Sequence, residues 1–359
     1  MHAVAAVAGC LIVCATMWDA FETQVLPRTP LRRLRLTRLF YRTTWTVWAA
    51  GCRRLAARGR CEQLLAIYGP ASVFVLLTLW VNALVVGFAL LQWSQRELLT
   101  NLDGVPHFSD DLYMSGTTLF ALGLGDLAPK GRIGRLLIVA ETGSSLVLLS
   151  MLFSYIPTLY QSFARRERQV TVLHAWAGSP PSAAGIVRQI ADGCDASHLD
   201  AFFADWQRWC ADLHESHLSY PVIGYFRSQH LDRSWVAALT ALLDTTALMI
   251  VGIDDVSSWR ARLTFATARD AAVDLAHVLG EPVTCLVDRL PARELEAIRS
   301  ELARDGLHLR RSSAADEELA ALRQSYEPHV AALANGLEMP LPDWRRNHRI
   351  VAAAGGSPS

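Results

Sequence analysis

Three apolar stretches, residues 2–18, 68–93 and 133–160, limit what this chain can fold into. A bilayer core of about 30 Å takes roughly 20 helical residues to cross; the second and third stretches reach that length and the first is short. Backbone groups in lipid must find partners within their own segment, so each stretch is expected to be a membrane helix. Composition agrees: 52% of the 359 residues are hydrophobic and only 19% are charged. A soluble domain carries about a quarter charged residues. Asp19 closes the first stretch. No positive residues precede it and no small-residue cleavage site follows, so it reads as a retained helix rather than a leader.

Arginine sets the orientation. Net charge is zero, but residues 1–168 carry 17 Arg or Lys against 10 acids, while residues 169–359 carry 17 Arg against 24 acids. Ten arginines lie between the first two stretches, and Arg165, Arg166 and Arg168 follow the third. Cytoplasmic flanks of membrane helices are rich in Arg and Lys. The N-terminus is therefore expected outside a cell (plasma or inner) membrane, the C-terminus in the cytoplasm, and residues 94–132 outside. Residues 39–52, apolar but interrupted by Arg42, read as an amphipathic helix in the inner lipid interface. A cytosolic helix packed on the C-terminal half is the alternative. The cysteines at 10, 14, 52, 61, 194, 210 and 285 form no CxxC pair, which argues against a disulfide framework or thiolate zinc cage. The only basic stretch lies between apolar segments, which argues against nucleic acid as a partner.

The external loop is not polar. It reads Asp111-Leu-Tyr-Met-Ser-Gly-Thr-Thr-Leu-Phe-Ala-Leu-Gly-Leu-Gly-Asp126-Leu-Ala-Pro129. Asp110 and Asp111 stand at the start of the helical run, where the helix dipole favours acids. A semi-apolar hairpin between two spans is a re-entrant segment, tolerated in a membrane only where it lines a protein cavity. Gly123 and Gly125 can take left-handed backbone values without penalty. An extended strand alternating between hands turns its carbonyls to one side, and four such strands around an axis give oxygen rings that replace an ion's water shell.

Ala121-Leu-Gly-Leu-Gly-Asp126 resembles the Thr-Val-Gly-Tyr-Gly-Asp filter of the potassium-channel pore family. Leu-Ala-Pro129 after it and Gly134-Arg135 opening the third stretch also match, and the resemblance spans residues 68–160. The chain is most similar to small bacterial members with an extra N-terminal span and a C-terminal helical domain. The resemblance implies a homotetramer in a lipid bilayer, passive transport without enzyme chemistry, and permeant potassium ions in place of any cofactor or structural metal. Backbone carbonyls of Ala121, Leu122, Gly123, Leu124 and Gly125 would line the filter, supported by Thr117, Thr118 and Asp126. Two positions depart from the pattern. Ala121 offers no hydroxyl ring at the innermost site, and Leu124 cannot hydrogen-bond to the helix behind it, so apolar packing must hold the filter width. A non-selective monovalent cation channel and a membrane-anchored sensor or scaffold with a degenerate pore are the alternatives.

Gating candidates lie on the third stretch. Glu141 follows Arg135 by six residues, about 9 Å along a helix, level with Ser115, Thr117 or Thr118 as donors. Intramembrane acids face protein or water, so Glu141 reads either as a protonation-sensitive clamp or as a structural hydrogen bond. Gly143, beside Ser144 and Ser145, suits a bend or close helix packing. Pro157 frees a carbonyl and kinks the helix. The first stretch has no regular arginines, which argues against strong voltage sensing.

The remainder reads as helical. Apolar positions recur at helical spacing in 198–214, 234–252, 259–279, 292–304 and 315–335. Ser197 and Ser313 look like helix starts, and Gly193 and Gly280 like stops. No Gly-x-Gly-x-x-Gly follows a strand. Residues 235–251 approach membrane length, but Asp244 at their midpoint favours the buried core of a helical domain over a fourth span. Cys210, His214 and His217 share a helix face, yet no full metal motif surrounds them, and polar side chains facing water are the simpler reading. Trp206, Trp209, Tyr220 and Tyr225 read as helical core.

The expected fold is all-α: membrane helices with a re-entrant pore helix and filter, plus an all-helical cytoplasmic domain. The expected divisions are an N-terminal span (1–20), a basic linker (21–66), a pore domain (67–162), a cytoplasmic domain (163–350) and a disordered tail (351–359). Within the pore domain, 68–93 is the outer helix, 109–129 the pore helix and filter, and 133–160 the inner helix. A ligand or protein for the cytoplasmic domain would be of unknown identity.

Overall fold

The computed structural model describes residues 2–25, 36–55, 58–95, 99–100, 107–178, 180–193, 196–228, 230, 233–252, 258–282 and 287–345. The tail expected to be disordered, 351–359, lies outside the described residues. The fold is all-α. Its described strands are β1 (Leu99–Thr100) and β2 (Ala128–Pro129), antiparallel with Leu99 opposite Pro129. Two compact units divide the chain: Met1–Gly51 with Tyr68–Tyr160, and Cys52–Ile67 with Gln161–Ser359.

The first unit is built on α1 (His2–Gln24), α2 (Leu36–Leu55), α3 (Arg58–Trp93), α4 (Phe108–Leu119) and α5 (Gly131–Ala177). Helices α1 and α3 cross where a side-chain carbon on Gly9 would meet the Gly87 carbonyl at 2.6 Å, so nothing larger than glycine fits. Asp19 does not close the first helix, contrary to expectation. It is buried inside α1, accepting from Trp80 Nε1 at 3.0 Å and from the Thr37 hydroxyl at 2.7 Å. An acid with two donors sits in a protein contact rather than in lipid, so the helix continues past it. α2 buries Tyr41, Trp45 and Ala49 and exposes Leu39, Val47 and Trp48. The outer helix begins ten residues before the apolar run and continues through Pro70.

The second unit holds the end of α5 with α6 (Ala183–Gly193), α7 (Ala196–Ser219), a 3-10 turn (Pro221–Tyr225), α8 (Trp235–Gly252), α9 (Ser258–Leu279), α10 (Ala292–Arg304), α11 (Ser313–Gln324) and α12 (Glu327–Leu337). Four described helices are long and apolar enough to cross a membrane: α1, α3, α5 and α8. Every residue of α8 is buried, with α6, α9, α11 and α12 packed around it. Protein covers it, which accounts for its lack of a polar face. Asp244 at its centre is satisfied by Arg289 Nη2 at 2.7 Å and by the Tyr326 hydroxyl at 2.5 Å.

Two details differ from the sequence reading. The run 315–335 is two helices, because Pro328 lacks an N–H and its ring would clash with the carbonyl four residues earlier. The cap of α11 is Ser312, whose hydroxyl accepts the Ala315 N–H at 3.2 Å. Ser313 is already helical. The Asp316 carboxylate that would have completed a box with it is held by Arg299 instead. Ser197 likewise lies one residue inside α7.

Cys210, His214 and His217 separate. Cys210 and His217 are fully buried while His214 turns to Asp274 at 2.8 Å. Burial pushes the Cys210 thiol up. Burial and the Arg166 guanidinium push His217 well below its ordinary value. Arg166, itself buried, donates to the carbonyls of Ile223 and Phe226 at 3.0 and 2.7 Å. The Trp206 and Trp209 rings pack edge-on, 5.2 Å apart, as core.

Candidate functional site

The hairpin between α3 and α5 is assembled from short-range rules. At the start of α4, the Asp110 carboxylate accepts the His107 N–H at 2.8 Å, and Asp110 and Asp111 occupy the first turn. The helix unwinds at its C-terminus through three successive contacts. Phe120 N–H reaches the Gly116 carbonyl at 3.1 Å, Ala121 N–H the Thr118 carbonyl at 3.0 Å, and Leu122 N–H the Thr117 carbonyl at 2.8 Å. Thr117 and Thr118 thus hold the next segment through their backbones. The Thr117 hydroxyl stays within α4, on the Met114 carbonyl. The negative end of the α4 dipole points to where the segment begins, which favours a cation there.

Residues 121–125 alternate in hand. Ala121, Gly123 and Gly125 have φ of 54°, 58° and 78°. Leu122 and Leu124 between them stay on the negative side. Their side chains are 58% and 62% exposed in the single chain. Gly123 and Gly125 have no heavy atom within 4 Å of where a Cβ would stand, so φ, not space, requires glycine there. Ala121 was not foreseen in this role, since nothing in an alanine marks a left-handed residue. Placing a non-glycine residue there costs roughly 1–2 kcal/mol.

At the strand's far end the Asp126 carboxylate accepts the Leu127 N–H at 3.1 Å.

Glu141 is completely buried on α5 and joins three helices. The Ser115 hydroxyl of α4 donates to one carboxylate oxygen, and Gln92 Nε2 of α3 donates to the other at 2.8 Å. Ser115 Oγ also lies 2.9 Å from the Val85 carbonyl. Of the three donors expected for Glu141, only Ser115 takes the role. The Gln92 partner was missed, although an uncharged amide near the end of a span is a visible polar outlier. Gly143 is exposed, and among the described residues no heavy atom lies within 4 Å of a would-be Cβ, so it serves no close packing with them. Helix α5 runs uninterrupted through Pro157, which is also exposed.

Residues 74–162 match a family model described as an ion channel. That stretch takes in most of α3, all of α4, the alternating strand and the membrane part of α5. The chain is also similar to an uncharacterized membrane protein, YdjJ, of Bacillus subtilis strain 168. Identity is 24% over 252 residues, covering 69% of this chain and 70% of the relative. No solved structure matches the chain.

Proposed function

We propose that this chain is the subunit of a homotetrameric, potassium-selective channel of the cell membrane, conducting passively through a filter of backbone carbonyls. The alternation of hand at Ala121, Gly123 and Gly125 carries the reading. A left–right alternation turns successive carbonyls to one side, and irregular backbone between two membrane helices is tolerated where it is buried in protein or lines a water-filled cavity. Four copies are needed, because one strand supplies a quarter of each ring. The exposed Leu122 and Leu124 support the same conclusion, as do Leu136, Val139, Val147 and Phe153 along α5, which need lipid or another copy to cover them. The arginine bias supports an external N-terminus and a cytoplasmic C-terminus.

Reversal potential in planar bilayers, with potassium on one side and sodium on the other, tests the reading. It is expected near the potassium equilibrium potential. A clear current reversing near zero would replace this reading with a non-selective cation channel, which one observation favours: Ala121 supplies no hydroxyl at the inner mouth. Under the potassium reading, Ala121→Thr adds that hydroxyl ring and leaves reversal where it is. Under the other, it moves reversal toward potassium.

Glu141 is the proposed gate element behind the filter, with Gly143 and Pro157 as bend points of α5. A carboxylate holding Ser115 fixes α4 against α5, and protonation removes one of its acceptor oxygens. Glu141→Gln keeps the shape but not the titration, so the open probability of the variant should lose its dependence on pH. A variant with the wild-type pH profile would leave Glu141 a purely structural residue.

A further inference from the structure

Two of the membrane helices reach into the second unit: α3 from its start at Arg58 to Ile67, and α5 from Gln161 to its end at Ala177. A charged side chain on each meets the short segment that follows the 3-10 turn. On α5, the buried Arg166 donates to the Ile223 and Phe226 carbonyls at 3.0 and 2.7 Å. Its guanidinium lies 5.2 Å from the Phe163 ring, which packs 5.7 Å from the Phe226 ring. On α3, the Glu62 carboxylate accepts from Arg227 Nη1 at 2.6 Å.

Phe226 and Arg227 are neighbours, so the carbonyl that holds Arg166 and the residue that holds Glu62 share one planar peptide. The Arg227 side chain is 8% exposed and also donates to the Leu337 and Glu338 carbonyls at 2.8 and 3.0 Å. Leu337 ends α12, and Glu338 follows as its cap residue with φ of 55°. The last carbonyls of a helix have no partner within it, and a guanidinium offers them donors at fixed angles. Arg53 also meets the Glu338 carboxylate, at 2.8 Å, but its side chain is 58% exposed, and exposed pairs contribute little. The hold on α3 therefore rests on the buried Arg227.

We propose that Phe226 and Arg227 couple the outer helix α3 and the inner helix α5 to the C-terminal end of α12, so that the second unit moves the two helices as a pair. This regulation rests on the channel reading, since it acts on the helices that flank the proposed filter. A pull on the inner helix alone has to break Arg166 from two carbonyls or Arg227 from Glu62. Each is a charge-assisted bond of a buried guanidinium, stronger than a neutral one and with little water at hand to replace it. Moving both helices together breaks neither. A displacement at the end of α12 thus reaches α3 and α5 through the same peptide.

The test uses full-length protein in nanodiscs and reads amide hydrogen exchange, which needs no current. Glu62→Gln keeps the shape of the side chain and removes its charge. It is expected to speed exchange about tenfold both in residues 58–67 of α3 and in residues 161–170 of α5. Faster exchange confined to α3, or no change in either helix, would overturn the proposal. Arg227→Lys keeps the charge, loses the planar fork and should give the same two-helix pattern. If that variant does not fold, Glu62→Gln decides alone. In planar bilayers, Glu62→Gln should shift the ratio of open to closed channels about fivefold or more while reversal stays at its wild-type value. An unchanged ratio would leave a structural tie and overturn the regulation. If the wild type carries no current, the channel reading fails, and exchange still decides whether the two helices are coupled.

Discussion

Gly123→Ala is expected to abolish the proposed potassium current while leaving the protein folded and inserted. The reason is conformational. Among the described residues no heavy atom lies within 4 Å of the would-be Cβ, so added bulk meets none of them, but φ at this residue is 58°. An L-alanine in that region costs roughly 1–2 kcal/mol, and in the proposed ring of four subunits that becomes about 4–8 kcal/mol. Relaxing to negative φ removes the strain and turns the neighbouring carbonyl out of line. Ala121 already holds a φ of 54°, so the strand has spent its tolerance at the inner end. D-alanine at 123, introduced by semisynthesis, prefers positive φ and should restore conduction. Potassium flux into proteoliposomes reads both variants. Wild-type flux from Gly123→Ala would mean that conduction does not use this backbone geometry.

The features behind the proposed pore were legible because their constraints are local. Membrane length, arginine bias and a Gly-x-Gly that needs positive φ are each properties of a few adjacent residues. What escaped was pairwise. Asp19 with Trp80 and Gln92 with Glu141 join residues separated by 61 and 49 positions. Each contains a polar group in an apolar run, and such groups are retained in membranes only with partners. The sequence marked Glu141 as needing a donor and offered Ser115 among three, but it took Asp19 only as the end of a stretch. Ala121 was illegible for another reason: its hand is imposed by the contacts at 117 and 118, not by its own preference.

In the second unit, helical spacing located α7 to α10 closely, because each has one face turned to a core. It merged α11 with α12, since periodicity carries on across residues 325 and 326 and only Pro328 reports the break. α6 is short, and its place depends on α8, which no local pattern reveals. α8 itself was recognised by its acid: length and hydropathy alone place it with the membrane helices.

That acid gives the second large effect. Asp244→Ala is expected to destabilise the second unit by about 3–5 kcal/mol, the usual penalty for removing one partner of a buried ion pair. Arg289 would be left with its side chain 14% exposed, without the carboxylate it meets at 2.7 Å, and the Tyr326 hydroxyl would lose its acceptor. Burial and the Asp244 carboxylate hold that hydroxyl well above its ordinary range, so it remains a donor at neutral pH. Replacing both partners, as Asp244→Leu with Arg289→Met, should recover much of the loss, since an apolar pair needs no charge partner. Chemical unfolding of the full-length protein, followed by tryptophan fluorescence, measures the change: Trp344 lies against Arg289 at 5.8 Å and Arg323 at 5.7 Å and reports on this cluster. Asp244→Leu alone should also destabilise, because Arg289 keeps only Glu327, at 3.6 Å, as a carboxylate partner. A stabilising sign would contradict the protein-covered position of α8, since only in lipid does removing an acid recover about 2.5–3.5 kcal/mol.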